Sequence, residues 1–185
     1  MLDAVRRKLT YEDYLLFPED RNRHEILDGE HHVTAAPYPG HQRVVVQLTW
    51  WIAPFARQHR LGRFYVAPVD VLLGRHDVVQ PDLLFISNAS TKILTEKNVQ
   101  GAPDLVVEVL SDSTRKRDEG IKLERYGLLG VQEYWVVDPK HSEARIYRRV
   151  GEDLRQSAEL SAASRDFLTS PFFPGLEIPL SEIFL

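Results

Sequence analysis

The chain has 185 residues, 43% hydrophobic and 27% charged, with a formal net charge of -4 and no cysteine. That length and apolar content suit one domain, residues 1–185, able to bury a core of its own. The missing cysteines exclude disulfides, a thiol nucleophile and cysteine-ligated zinc or iron–sulfur centres, and the mild negative charge gives no bulk attraction to phosphate, so any nucleic-acid contact would fall to local basic clusters.

At the start of the chain, Met1 to Lys8 bring basic residues with no apolar run behind them, which argues against a signal peptide. No hydrophobic stretch is long enough for a bilayer, so the expectation is a cytoplasmic protein without a membrane partner. Thr10 followed by Asp13 predicts the N-cap of a short helix to about Phe17, stopped by Pro18. Arg23–Leu27 and Glu30–Ala35 read as strands joined at Asp28-Gly29, a dipeptide that favours tight hairpins. His31 and His32 then point to opposite faces, as surface residues rather than partners on one metal.

Pro37-Tyr38-Pro39-Gly40 reads as a turn. From His41 to about Arg60, Val44, Leu48, Trp51, Ile52 and Phe55 recur at helical spacing, with Pro54 predicting a kink or two consecutive helices. The same spacing assigns Trp50, Trp51 and Phe55 to core or dimer packing rather than base stacking. Strands are expected at Arg63–Leu73 and Val78–Ser87, connected by Gly74-Arg75-His76-Asp77, then a short link at Thr91–Asn98. The run Asp104–Leu110 has the look of a strand buried on both faces. Ser113 can cap a helix from Thr114 to Leu129, closed by Gly130, and Val131–Asp138 is a further strand. Ala144–Val150 and Arg155–Leu160 read as later antiparallel strands before an apolar, proline-rich tail. The predicted class is α/β, a mixed sheet with helices packed against it.

Two acids stand out against this background. Glu108 lies among Leu and Val, where a carboxylate needs a proton, a hydrogen-bonded partner or a cation. Asp82, after Pro81, lies near the start of the preceding strand, and if the two strands are neighbours both carboxylates converge on one side of the sheet. Close carboxylates raise each other's pKa unless a divalent cation neutralises them, and magnesium or manganese suits such oxygen ligands. Asp118, Lys122 and Tyr126, spaced by four, share one helix face, so Lys122 can overhang the acids or simply pair with Asp118. Arg115-Lys116-Arg117 are candidate nucleic-acid contacts, partly cancelled by Asp118-Glu119.

The segments His24-Glu25-Ile26-Leu27-Asp28-Gly29-Glu30, Gln80-Pro81-Asp82-Leu83, Ala102 to Ser111 and Gly130 to Pro139, in that order, resemble the Uma2-like group of restriction endonucleases within the PD-(D/E)XK nuclease superfamily. That resemblance implies a restriction-endonuclease-like mixed sheet flanked by helices, with an additional N-terminal hairpin and C-terminal antiparallel strands. It implies metal-assisted hydrolysis of DNA by a homodimeric enzyme. Asp82 takes the superfamily's proline–aspartate position and Glu108 its second acid. Together with the Val109 carbonyl they would hold magnesium or manganese. Leu110 occupies the place of the usual motif lysine, and Lys122 on the following helix is its stand-in. Glu25 matches the family's N-terminal glutamate, while His41, Asp70 and Tyr126 are possible supporting residues. The alternatives are a nuclease fold that binds nucleic acid or a protein without cutting, and a hydrolase of another phosphoester.

Overall fold

The computed structural model describes residues 7–185. Residues 1–6, and with them most of the Met1–Lys8 segment, lie outside the described residues. Among the described residues, thirteen strands and five α-helical segments follow in the order α1 (Tyr11–Tyr14), β1 (Arg23–Leu27), β2 (Glu30–Thr34), α2 (Pro39–Gln58), β3 (Gly62–Val66), β4 (Val71–Gly74), β5 (Asp77–Val79), β6 (Leu83–Ser87), β7 (Val99–Gln100), β8 (Leu105–Val109), α3 (Arg115–Arg117), α4 (Leu123–Leu129), β9 (Glu133–Asp138), β10 (Glu143–Val150), β11 (Asp153–Ser161), β12 (Phe167–Leu168), β13 (Ile178–Pro179) and α5 (Leu180–Ile183). The architecture is the expected mixed α/β arrangement, but its strands divide between a five-stranded sheet, β2-β1-β5-β4-β7, a six-stranded sheet, β11-β10-β9-β8-β6-β3, and the small pair β12-β13.

The division corrects two sequence expectations. Arg63–Leu73 is not one strand: the chain leaves β3 at Ala67-Pro68 and re-enters as β4 in the other sheet. Val78–Ser87 breaks in the same way at Gln80-Pro81-Asp82 between β5 and β6. Proline has no N–H to give to a ladder, so it sits where pairing stops. The Asp28-Gly29 hairpin forms as expected, with φ of 48° and 81° at its two central residues, the positive pair that a type I′ turn requires. Thr10 starts α1, its N–H donating to the Asp13 carboxylate at 2.9 Å. That helix stops at Tyr14, short of Phe17.

Helix α2 starts at Pro39, earlier than expected, because Pro is well placed in a first turn. It runs through Pro54 as one helix rather than two. Its buried stripe, Val44, Val45, Leu48, Ile52 and Ala56, packs with Leu83, Phe85, Leu105, Val107 and Val109 in one core cluster. Trp51 and Phe55 pack against that cluster, whereas Trp50 is 68% exposed. A second cluster, including Leu27, Leu84, Ile86, Val106, Tyr126 and Tyr134, lies on the opposite face of the six-stranded sheet. Between β8 and the parallel β9 the connection is helical but irregular: a π-helical turn, Asp118–Lys122, separates α3 from α4. Gly130, with φ of 107°, closes α4. Among the described residues no helix is long and apolar enough to cross a membrane.

Candidate active site

Side-chain alternation explains why the acids meet. On β8, Val107 and Val109 face the α2 cluster and Val106 faces the other, so Glu108 also turns to that second face. β6 pairs antiparallel with β8, Leu83 opposite Val107. Asp82, just before β6, has the parity of Leu84, which lies on the Glu108 side. On β1, Glu25 has the parity of Leu27, a member of the same cluster. Asp82, Glu108, His41 and Lys122 line one cavity of about 300 Å³ together with Arg23, Arg117 and Asp118.

Asp82 is held by three donors. Arg23 Nη2 lies 2.9 Å from Oδ1, and His41 Nε2 and the Val109 N–H lie 3.0 and 2.8 Å from Oδ2. Arg23 also donates to the Gln80 carbonyl at 3.0 Å, which fixes the guanidinium on the chain that carries Asp82. Burial would raise the Asp82 pKa, but the His41 hydrogen bond, the Arg23 charge and the Val109 N–H outweigh it and hold the carboxyl at about 2.

Glu108 is the opposite case. Lys122 Nζ and the Tyr126 hydroxyl, four residues apart, both reach its Oε1, at 2.8 and 2.7 Å. Burial raises its pKa; the Lys122 charge opposes this, while Asp118, Asp82 and Glu25 add to it, and Glu108 is pushed up to about 8. Lys122 is itself fully buried, 2.9 Å from Glu25 and 3.6 Å from Asp118. Burial disfavours its charge, but the three carboxylates hold it firmly protonated. Glu25 and Glu108 share this ammonium yet shift in opposite directions. Glu25 has the Arg117 charge and the Gln80 N–H as well, and these overcome its burial to lower its pKa. Asp118, whose burial is only partly offset by Lys122, is raised.

The sequence candidates do not all gather here. Glu25 is completely buried against Lys122, and His41 and Tyr126 touch the two central acids. Asp70 stands apart, accepting from Tyr14 and Gln80 at 2.7 Å each. Arg115 is turned away, forming a two-bond fork with Asp138 at 2.7 and 3.0 Å. Arg117 lines the cavity, whereas Lys116 is exposed outside it. His31 is exposed as expected, but His32 is half-buried with an unpartnered Nε2. Arg23 and Asp118 were missed as site residues. The period-two spacing of Arg23 from Glu25 on a strand was the signal for Arg23, and the four-residue spacing from Lys122 was the signal for Asp118.

The model of the Uma2 family, described as "Putative restriction endonuclease", matches residues 11–181. The chain belongs to the Uma2 family. A solved structure described as a putative nuclease belonging to DUF820, from Anabaena variabilis ATCC 29413, aligns at a TM-score of 0.78 and 18% identity, covering 95% of this chain and 97% of that one. At that identity the likeness is one of fold. No curated protein matches this Uma2 chain.

Among the described residues no three His, Cys, Asp or Glu side chains form a ready metal-binding group. Four buried carboxyl groups, Glu25, Asp82, Glu108 and Asp118, stand near the cations Lys122, Arg23 and Arg117, and the raised pKa of Glu108 and of Asp118 means that these cations do not fully offset burial there. Oε2 of Glu25 and Oδ1 of Asp118 are buried without a hydrogen-bond partner. This donor set fits a hard ion that takes one or two carboxylates and retains water, which is the habit of magnesium.

Proposed function

We propose that this Uma2 protein is a metal-dependent endonuclease that hydrolyses phosphodiester bonds in DNA, with magnesium or manganese held by Asp82, Glu108 and the Val109 carbonyl. The observation that carries the reading is the meeting of Asp82, Glu108 and Lys122, from three separate segments, in one cavity. When bound, the ion supplies an activated water and offsets charge on the phosphorus oxygens. Asp82 stays ionised and fixed by its three donors, while Tyr126 fixes the orientation of Glu108. Lys122 contributes a permanent positive charge beside the reacting phosphate. Arg117 contacts the DNA backbone, with the exposed Lys116 beside it as a more distant contact.

The test is cleavage of single-stranded, duplex and branched DNA with magnesium or manganese, with chelator and Glu108→Ala as controls. Metal-dependent cutting that disappears in both controls supports the proposal. Cutting that survives Glu108→Ala defeats it. A second reading, a nuclease fold that binds nucleic acid or a protein without cleaving, draws on the burial of Lys122 among three carboxylates; DNA binding with no cleavage under any metal would favour it. The proposal extends to a cytoplasmic homodimer that cuts both strands, checked by light scattering at micromolar concentration. It also treats the chain as one domain, since the site draws on both large sheets, and expects one cooperative unfolding transition.

A further inference from the structure

The main chain of Gln80 serves both sides of the candidate site. Its N–H donates at 3.0 Å to Glu25 Oε1, the oxygen that also meets Lys122. Its carbonyl accepts from Arg23 Nη1 at 3.0 Å, while Nη2 of the same guanidinium holds Asp82. A shift of this one residue would therefore move the Lys122 cage and the Asp82 clamp together. The following Pro81 has no N–H with which to fasten the chain, which at this point crosses from the five-stranded to the six-stranded sheet.

What fastens Gln80 is its side chain. Strands β4 and β5 pair with Val71 opposite Val79, so Asp70 and Gln80 stand across from each other at the open end of that hairpin. Gln80 Nε2 donates to Asp70 Oδ1 at 2.7 Å and to the Tyr14 hydroxyl at 3.0 Å, and the hydroxyl donates to the same Asp70 oxygen at 2.7 Å. Burial and the hydrogen bond to Asp70 raise the Tyr14 pKa above its ordinary value, which keeps the hydroxyl a donor. None of the three side chains lines the cavity of Asp82 and Glu108.

We infer that Asp70 and Tyr14 are positioning residues of the candidate active site, acting through Gln80 to fix Glu25 and Arg23, and through these Lys122 and Asp82. The effect on rate rests on the hydrolytic reading of the cavity. Misplacing a reacting group by about 1 Å can cost about 100-fold in rate, so loss of the clamp shows in turnover rather than in substrate binding.

Hydrogen exchange of the Gln80 amide, followed by NMR with the Val107 amide as internal reference, reports the clamp without any reaction. DNA cleavage with magnesium or manganese gives kcat and KM per folded molecule. Asp70→Ala and Gln80→Met are each expected to speed Gln80 exchange about tenfold and to lower kcat about 10–100-fold with KM kept within about twofold. The double variant should lose no more than either single one, because both act on one contact. Asp70→Asn keeps an acceptor oxygen for both donors and should bring both readouts back to within about threefold of wild type. Tyr11→Phe is the control for a merely structural part of α1: the Tyr11 hydroxyl accepts from Asn98 Nδ2 at 3.1 Å, not from Gln80, so exchange and kcat should stay at wild-type values. Should Asp70→Ala fail to fold, Tyr14→Phe carries the same test with several-fold effects. Wild-type exchange or wild-type kcat in Asp70→Ala and Gln80→Met, additive losses in the double variant, or an equal loss in Tyr11→Phe would overturn the inference. A wild-type protein that cuts no DNA would sink the hydrolytic reading alone, and Gln80 exchange would still decide the clamp.

Discussion

Replacing Glu108 by glutamine should separate stability from chemistry. The wild-type carboxyl is raised from 4.5 to about 8 by burial and by the Asp118, Asp82 and Glu25 charges, against the pull of Lys122. A raised acid retains in the folded state a proton that the unfolded chain has already lost. Its contribution is therefore full below the unfolded value of 4.5 and gone once pH has risen through about 8. At about 1.4 kcal/mol per unit, the wild type loses about 3–5 kcal/mol across that window. Glutamine has no proton to lose, keeps the shape, and leaves Lys122 paired with Glu25 at 2.9 Å. Urea unfolding should find Glu108→Gln and wild type equally stable near about pH 5 and the variant more stable by about 3–5 kcal/mol near about pH 9, without divalent metal. Cleavage should be lost at every pH. Parallel stability curves for the two proteins would refute the argument, because Glu108 would then be ionised without cost.

The cationic partner gives the reverse expectation: Lys122→Met leaves Glu25, Glu108 and Asp118 facing one another and should cost about 3–5 kcal/mol at neutral pH, less in acid where the carboxyls protonate. A thermal scan showing under about 1 kcal/mol of loss would contradict the buried cage. Arg23→Ala releases Asp82 Oδ1 and should lower the cleavage rate about 10–100-fold, with unchanged kcat as the contrary result. It should also move acid unfolding to higher pH, since Asp82, held at about 2 against an ordinary 3.8, contributes stability that is present above 3.8 and lost as pH falls through about 2. In equilibrium unfolding followed by circular dichroism, Trp50→Ser should stay within about 0.5 kcal/mol of wild type, whereas Trp135→Ala, which empties a fully buried place in the α2 core cluster, should lose about 3–5 kcal/mol; comparable losses would mean that Trp50 is covered.

Much of the site was legible because its logic is local. An acid in an apolar strand, an acid after proline, and a lysine and tyrosine four apart are patterns that period and polarity reveal, and the pairing of β6 with β8 turns them into one cluster. The Asp28-Gly29 hairpin and the apolar stripe of α2 were legible for the same reason. The breaks at Ala67-Pro68 and Gln80-Pro81-Asp82 were not, because apolar residues continue on both sides of each and only tertiary pairing sends them to different sheets. Arg115 looked equivalent to Arg117 within one basic run. Its partner Asp138 is 23 residues away, a separation that no local pattern reports.

The ammonium of Lys122 joins Glu25, from the five-stranded sheet, to Glu108, from the six-stranded sheet. The fastener between the protein's two halves is thus part of the proposed catalytic centre. A change that loosens one sheet from the other disassembles the reaction machinery before it unfolds the chain, and a change that strengthens the seam must leave this single amine where it is.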